Sequence, residues 1–141
     1  MELDSLNAKL IRDIWLSFKK NSDNLFKDFD LTFSQTKLLL YLNEMENHKC
    51  EFKKMEKFLN IAQSTNVCLI NKLEEKGYVT CFVDSDDKRV KVMQLTNKGL
   101  DICNQTKLLI NSAEIGMFKE LTIEEKEQLF NLLSMIKNSQ N

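Results

Sequence analysis

Residues 63–99 read QSTNVCLINKLEEKGYVTCFVDSDDKRVKVMQLTNKG, and the hydrophobic period changes once within them. Over residues 63–76 the apolar side chains Val67, Ile70 and Leu73 recur at steps of three, which predicts an amphipathic helix. Gly77 stands where such a helix ends on a left-handed residue. Residues 78–83 are β-branched and aromatic, 84–88 form a charged turn, and 89–95 alternate in polarity. That pattern predicts a two-stranded hairpin with a charged tip. A lone hairpin is marginal in water, so this one must lean on neighbouring helices.

Upstream, Phe52, Met55, Phe58 and Leu59 mark a helix of two turns, joined to the next by residues 60–62. Thr32-Phe33-Ser34-Gln35 reads as a capping box. The helix it opens runs through Leu38, Leu39, Tyr41, Leu42 and Met45 and is expected to end in the polar cluster 46–49. Before it, Leu3, Leu6, Leu10, Ile11, Ile14, Trp15 and Phe18 form one face of a helix of about 18 residues. Leu25, Phe26 and Phe29 continue that face less regularly. Downstream, Thr96 caps a long helix reaching about Phe118. Thr122-Ile123-Glu124-Glu125 is a second capping box, opening a helix with Leu129, Leu132, Leu133 and Ile136 on one side. Residues 138–141 read as a polar tail.

The fold expected is therefore mainly α with a small β-hairpin. A helix-turn-helix with a β-wing occupies residues 31–96, and residues 1–30 and 97–141 form a helical dimerisation region. The outer helices carry apolar stripes that a winged unit of this size does not need for its own core. A two-fold dimer is the commonest way to cover them.

Between Leu59 and Gly99 the chain resembles the MarR family of winged helix-turn-helix transcription regulators. The matching residues are Leu59, Ile61, Ser64, Thr65, Val67, Ile70, Lys72, Leu73, Glu74, Lys76, Gly77, Tyr78 and Val79. They are followed by Asp84, Asp87, Lys88 and Arg89, then Leu95-Thr96 and Gly99. Leu31, Thr32 and Gln35 extend the likeness before the second helix. The resemblance implies a homodimer with interlocked terminal helices, each subunit placing one winged head on half of a palindromic double-stranded DNA site. It also implies a repressor released by a small aromatic or phenolic effector that enters between the dimerisation helices and the heads. Trp15, Phe18, Phe29 and Tyr41 are aromatics such a crevice would draw on, although their helical spacing equally suits a core.

Gln63, Ser64, Thr65, Asn66, Asn71 and Lys72 give the reading helix a polar outer face. Gln and Asn can bond adenine bidentately, and Ser and Thr can meet bases or phosphates. Arg89 is one of only two arginines and lies at the wing, where a guanidinium suits a narrow minor groove. The resemblance implies that Asp87 holds it in place, and Lys88 and Lys91 would contact phosphates. The plainer reading of Arg89 is a surface ion pair that tightens a turn. Two departures from the family pattern stand out. Ala62 occupies the expected N-cap of the reading helix, so the start is expected to move to Ser64. Cys81 replaces an arginine that many members carry on the first wing strand.

Charge supports nucleic-acid binding only modestly. Residues 49–98 hold ten basic and seven acidic side chains, within a chain of net charge −1. A winged-helix module that binds protein rather than DNA is therefore the alternative function. A cysteine-based redox regulator is another, although Cys68 and Cys103 fall on helices where a cysteine ordinarily fills space.

Composition excludes much else. With 141 residues the chain suits one domain with helical extensions. Three glycines and no proline leave no phosphate-cradling loop and little turn chemistry for an all-β fold. A single histidine, His48, and four cysteines without a C-x-x-C pair predict no metal, no cofactor and no catalytic residue set. The longest apolar run, residues 38–42, is too short for a membrane span. The N-terminus lacks the basic and apolar regions of a secretory signal, so a cytoplasmic location is expected.

Overall fold

The computed structural model describes residues 2–140; Met1 and Asn141, at the ends of the expected dimerisation region, lie outside them. Helix α1 spans Leu3–Phe26, six residues or so beyond the expected length, and a single 3-10 turn at Lys27–Phe29 closes it. Thr32 then caps α2 (Phe33–Glu44) with both halves of the capping box formed: its hydroxyl accepts from the Gln35 amide, and the Gln35 side chain accepts from the Thr32 amide. The short helix α3 (Phe52–Leu59) and the reading helix α4 (Gln63–Glu75) follow. An eight-residue helix is unstable by itself, and α3 holds because Met55 is fully buried in the common core. Burying one such side chain contributes roughly 1.5–3 kcal/mol.

The sheet has three strands, not two. Helix α2 stops at Glu44, a 3-10 turn at Glu46–His48 takes up the polar cluster, and the unforeseen strand β1 (Lys49–Glu51) follows it and pairs with β3 (Lys91–Leu95), which pairs in turn with β2 (Val79–Val83). All pairings are antiparallel, with Cys50 opposite Met93 and Met93 opposite Cys81. Cys50 alone carries the inward face of β1, flanked by exposed Lys49 and Glu51. One buried residue between two charges looks like a loop in sequence.

Helix α4 ends as its glycine predicts. Gly77 adopts φ +79°, its amide donates to the Glu74 carbonyl, and the Tyr78 amide donates to the Leu73 carbonyl. Tyr78 therefore belongs to this cap rather than to β2, and Arg89 and Val90 belong to the wing tip rather than to β3. The N-cap expectation is also corrected. Ala62 rather than Ser64 is the N-cap, without a side-chain hydrogen bond, and the helix begins at Gln63.

Helices α5 (Asn97–Met117) and α6 (Ile123–Ser139) complete the chain, capped by Thr96 and by the Thr122–Glu125 capping box. Gly99 lies in the first turn of α5, against the hairpin. A Cβ there would come within 2.2 Å of the Tyr78 carbonyl oxygen and 2.9 Å of Leu95. The Tyr78 carbonyl also accepts from the Thr96 amide, so α5 starts directly on the base of the wing. The core gathers Phe26, Leu38, Leu39, Leu42, Met55, Ile70, Leu73, Val79 and Met93. The N-terminal half of α1 stays outside it, with Leu3, Leu6, Leu10, Ile11 and Ile14 exposed, and no residue of α6 is buried.

Candidate nucleic-acid interface

The turn from α3 to α4 is tight because Asn60 takes a left-handed conformation, at φ +53°, and bonds back to the end of α3. This delivers α4 across the head with Ile70 and Leu73 buried and the opposite side open. Gln63, Ser64, Thr65, Asn71 and Lys72 are exposed on that open side, as expected. Asn66 is not. It is completely buried, its Nδ2 donates to the Phe52 carbonyl at 3.0 Å, and its Oδ1 meets no partner. Its step of four to Ile70 places it on the apolar stripe, so the expected base contact from Asn66 is withdrawn.

The wing tip is ordered by two aspartates. Asp84 accepts from the amides of Asp86 and Asp87 at 3.1 and 3.0 Å. Asp87 accepts from the Arg89 amide, from Arg89 Nε and from its terminal nitrogen, all at 3.0 Å. The adjacent guanidinium holds the Asp87 carboxyl below the usual carboxylate range, and the pairing raises Arg89 further. The ion pair foreseen for Arg89 thus exists, yet its side chain is 90% exposed. Pairing and outward presentation coexist in the same residue.

A cleft of about 400 Å³ separates the start of α4 from the wing. Gln63, Arg89 and Lys91 line it together with Lys53 of α3, whose part the sequence reading missed. The signal available was the lysine set Lys53, Lys54 and Lys57 on a helix read only as a support. Glu51, Glu56 and Asp87 share the cleft, so its formal charges balance. Lys88 is exposed at the tip but does not line the cleft. Lys72 lies apart, in a shallow depression with Lys27, Lys76, Thr32 and Gln35 near the start of α2. Cys68, expected to fill space, is instead exposed on α4 one turn from Ser64, Thr65, Asn71 and Lys72. Basic groups thus stand at two separate points of the head, Lys53, Arg89 and Lys91 at the cleft and Lys27, Lys72 and Lys76 at the depression, where Asp23 and Asp30 also lie.

The aromatics considered for an effector crevice separate. Trp15 and Phe18 pack edge-on against Phe33, Phe29 packs on the core, and Tyr41 stacks on Phe58 with ring centroids 3.4 Å apart. That stacked pair lines a recess of about 200 Å³ between α2, α3 and α5, with Lys37, Lys107 and Glu114.

Among the described residues, no helix is long and apolar enough to cross a membrane. The model of the winged helix DNA-binding domain family matches residues 35–112, more than half of the chain. Of solved structures, Staphylococcus aureus MepR in its DNA complex superposes with a TM-score of 0.89 at 26% identity, covering 94% of this chain and 96% of that one. Sco3205, a MarR family transcriptional regulator from Streptomyces coelicolor in complex with DNA, gives 0.88 at 20% identity, with 96% and 86% covered. Bordetella bronchiseptica BpsR, whose DNA binding is regulated by 6-hydroxynicotinic acid, gives 0.84 at 20% identity, with 94% and 98% covered. The chain therefore belongs to the winged helix DNA-binding domain family, and its fold is the one these MarR-type structures share.

Proposed function

We propose that this protein is a cytoplasmic, homodimeric transcription regulator that binds a palindromic duplex and carries out no catalysis. Residues 31–96 form the reading head, and residues 1–30 and 97–141 the dimerisation region. The observation that carries this reading is the cleft between α4 and the wing. It is lined by Gln63, Arg89, Lys91 and Lys53, and a DNA strand entering it would place α4 in one groove and the wing over the next. Ser64, Thr65 and Asn71 face bases, while Lys72, Lys88 and Lys91 contact phosphates. The exposed apolar faces of α1 and α6 support pairing of two chains.

It acts as a repressor, released by a small aromatic acid. The regulation of BpsR by 6-hydroxynicotinic acid supports that part, as does the recess beside Tyr41 and Phe58. Selection of duplexes from a random pool tests the whole reading. Recovery of a two-fold symmetric sequence is the expected result, and no enrichment overturns it. Adding aromatic acids to the selected complex tests release. The three carboxylates in the cleft favour the second reading, a protein-binding module, which a failed selection would leave in place.

A further inference from the structure

We infer that Asn66 sets the rotation of the reading helix about its own axis, and so governs base selection without touching a base. The inference rests on the DNA-binding reading above. Asn66 lies in line with Ile70 and Leu73 on the inner stripe of α4, where an apolar side chain is the ordinary occupant. It makes one hydrogen bond, from Nδ2 to the Phe52 carbonyl, and leaves Oδ1 buried without a partner. A half-satisfied buried amide costs stability relative to a well-packed apolar group, so packing does not account for it.

What the amide supplies is direction. Apolar contact is non-directional and leaves a helix latitude to turn about its own axis. A bond of 3.0 Å between fixed groups does not. Side-chain tips lie about 5–6 Å from a helix axis, so a turn of 20° moves them by about 2 Å, enough to break a hydrogen bond to a base edge. Ser64 and Thr65 immediately precede Asn66, and both point outward. The acceptor belongs to Phe52, which lines the same cleft as Gln63, Arg89 and Lys91. The helix and the wing are thereby referenced to one point of the backbone.

Asn66→Leu and Asn66→Val test this, since both remove the bond while filling most of the space. The measurements are affinity for the selected duplex, affinity for a scrambled duplex of equal length at the same salt, and the thermal midpoint. The ratio of the two affinities is expected to fall about tenfold, with scrambled-duplex affinity held within about twofold. The midpoint of the better-folded variant should stay within about 4 °C of the wild type. A lowered midpoint with an unchanged ratio makes Asn66 merely structural and overturns the inference. Failure of both variants to fold overturns it as well. A wild-type chain that prefers no duplex overturns the DNA-binding reading instead, and that result precedes any variant.

Discussion

Arg89 gains little stability from Asp87, because exposed ion pairs contribute little in water, but the pair fixes where a guanidinium points. Arg89→Ala should therefore weaken duplex binding about tenfold or more while leaving the thermal midpoint unchanged. A gel-shift titration beside a melting curve checks both halves. The pH sign follows from the depressed Asp87 carboxyl: the brace is complete above the ordinary value of 3.8 and is lost only as pH falls below it. Between pH 5 and 8, duplex affinity should not vary through this pair. Gly99 is the opposite kind of residue, invisible at the interface and critical beneath it. Gly99→Ala drives a methyl into the Tyr78 carbonyl, and should cost about 1–3 kcal/mol, read as a lower thermal midpoint.

At the scale of elements, the helices and the wing were legible because their signals are local. The Thr32 and Thr122 capping boxes, the Gly77 stop and the alternation of residues 91–95 each lie within one or two turns of chain. Strand β1 was not legible, because Cys50 becomes a core residue only through pairing with Met93, far along the chain. Asn66 misled for a related reason. An Asn in a polar run looks outward until the angle between α3 and α4 is known. Of the candidate interface, the exposure of Gln63, Ser64, Thr65 and Arg89 was readable from residue types, whereas Lys53 enters the cleft through tertiary placement alone. The cysteines divide by element as well. Burial pushes the Cys103 thiol up to about 11, and burial with the Glu74 carboxylate pushes Cys81 up to about 12. Cys68 alone is exposed, so a thiol reagent at pH 8 should label it first, half-buried Cys81 more slowly, and buried Cys50 and Cys103 only on unfolding. Mass spectrometry of a timed labelling series checks this. Raised thiols also fix an alkaline limit. From pH 9.0 to about 11 the folded chain keeps protons that the unfolded chain releases, so stability should decline across that interval.

On the scale of the whole molecule, the reading head has a small basic excess and the end helices have large unpaired apolar faces. Binding to unrelated DNA should accordingly be weak and fall with added salt. Ile14 on α1 and Phe130 on α6 are both exposed in the single chain. Ile14→Glu or Phe130→Glu should convert the dimer to monomer in sedimentation experiments and abolish binding to the full palindrome, with the circular dichroism of the head retained. Helix α6 buries none of its side chains within its own subunit, and that has a consequence for control in the cell. Since two chains must meet before either set of end helices is covered, the active species in the dilute regime rises with the square of copy number. On the proposed function, halving synthesis in that regime removes about three quarters of the dimer, so control at its target falls off more steeply than the supply of chain.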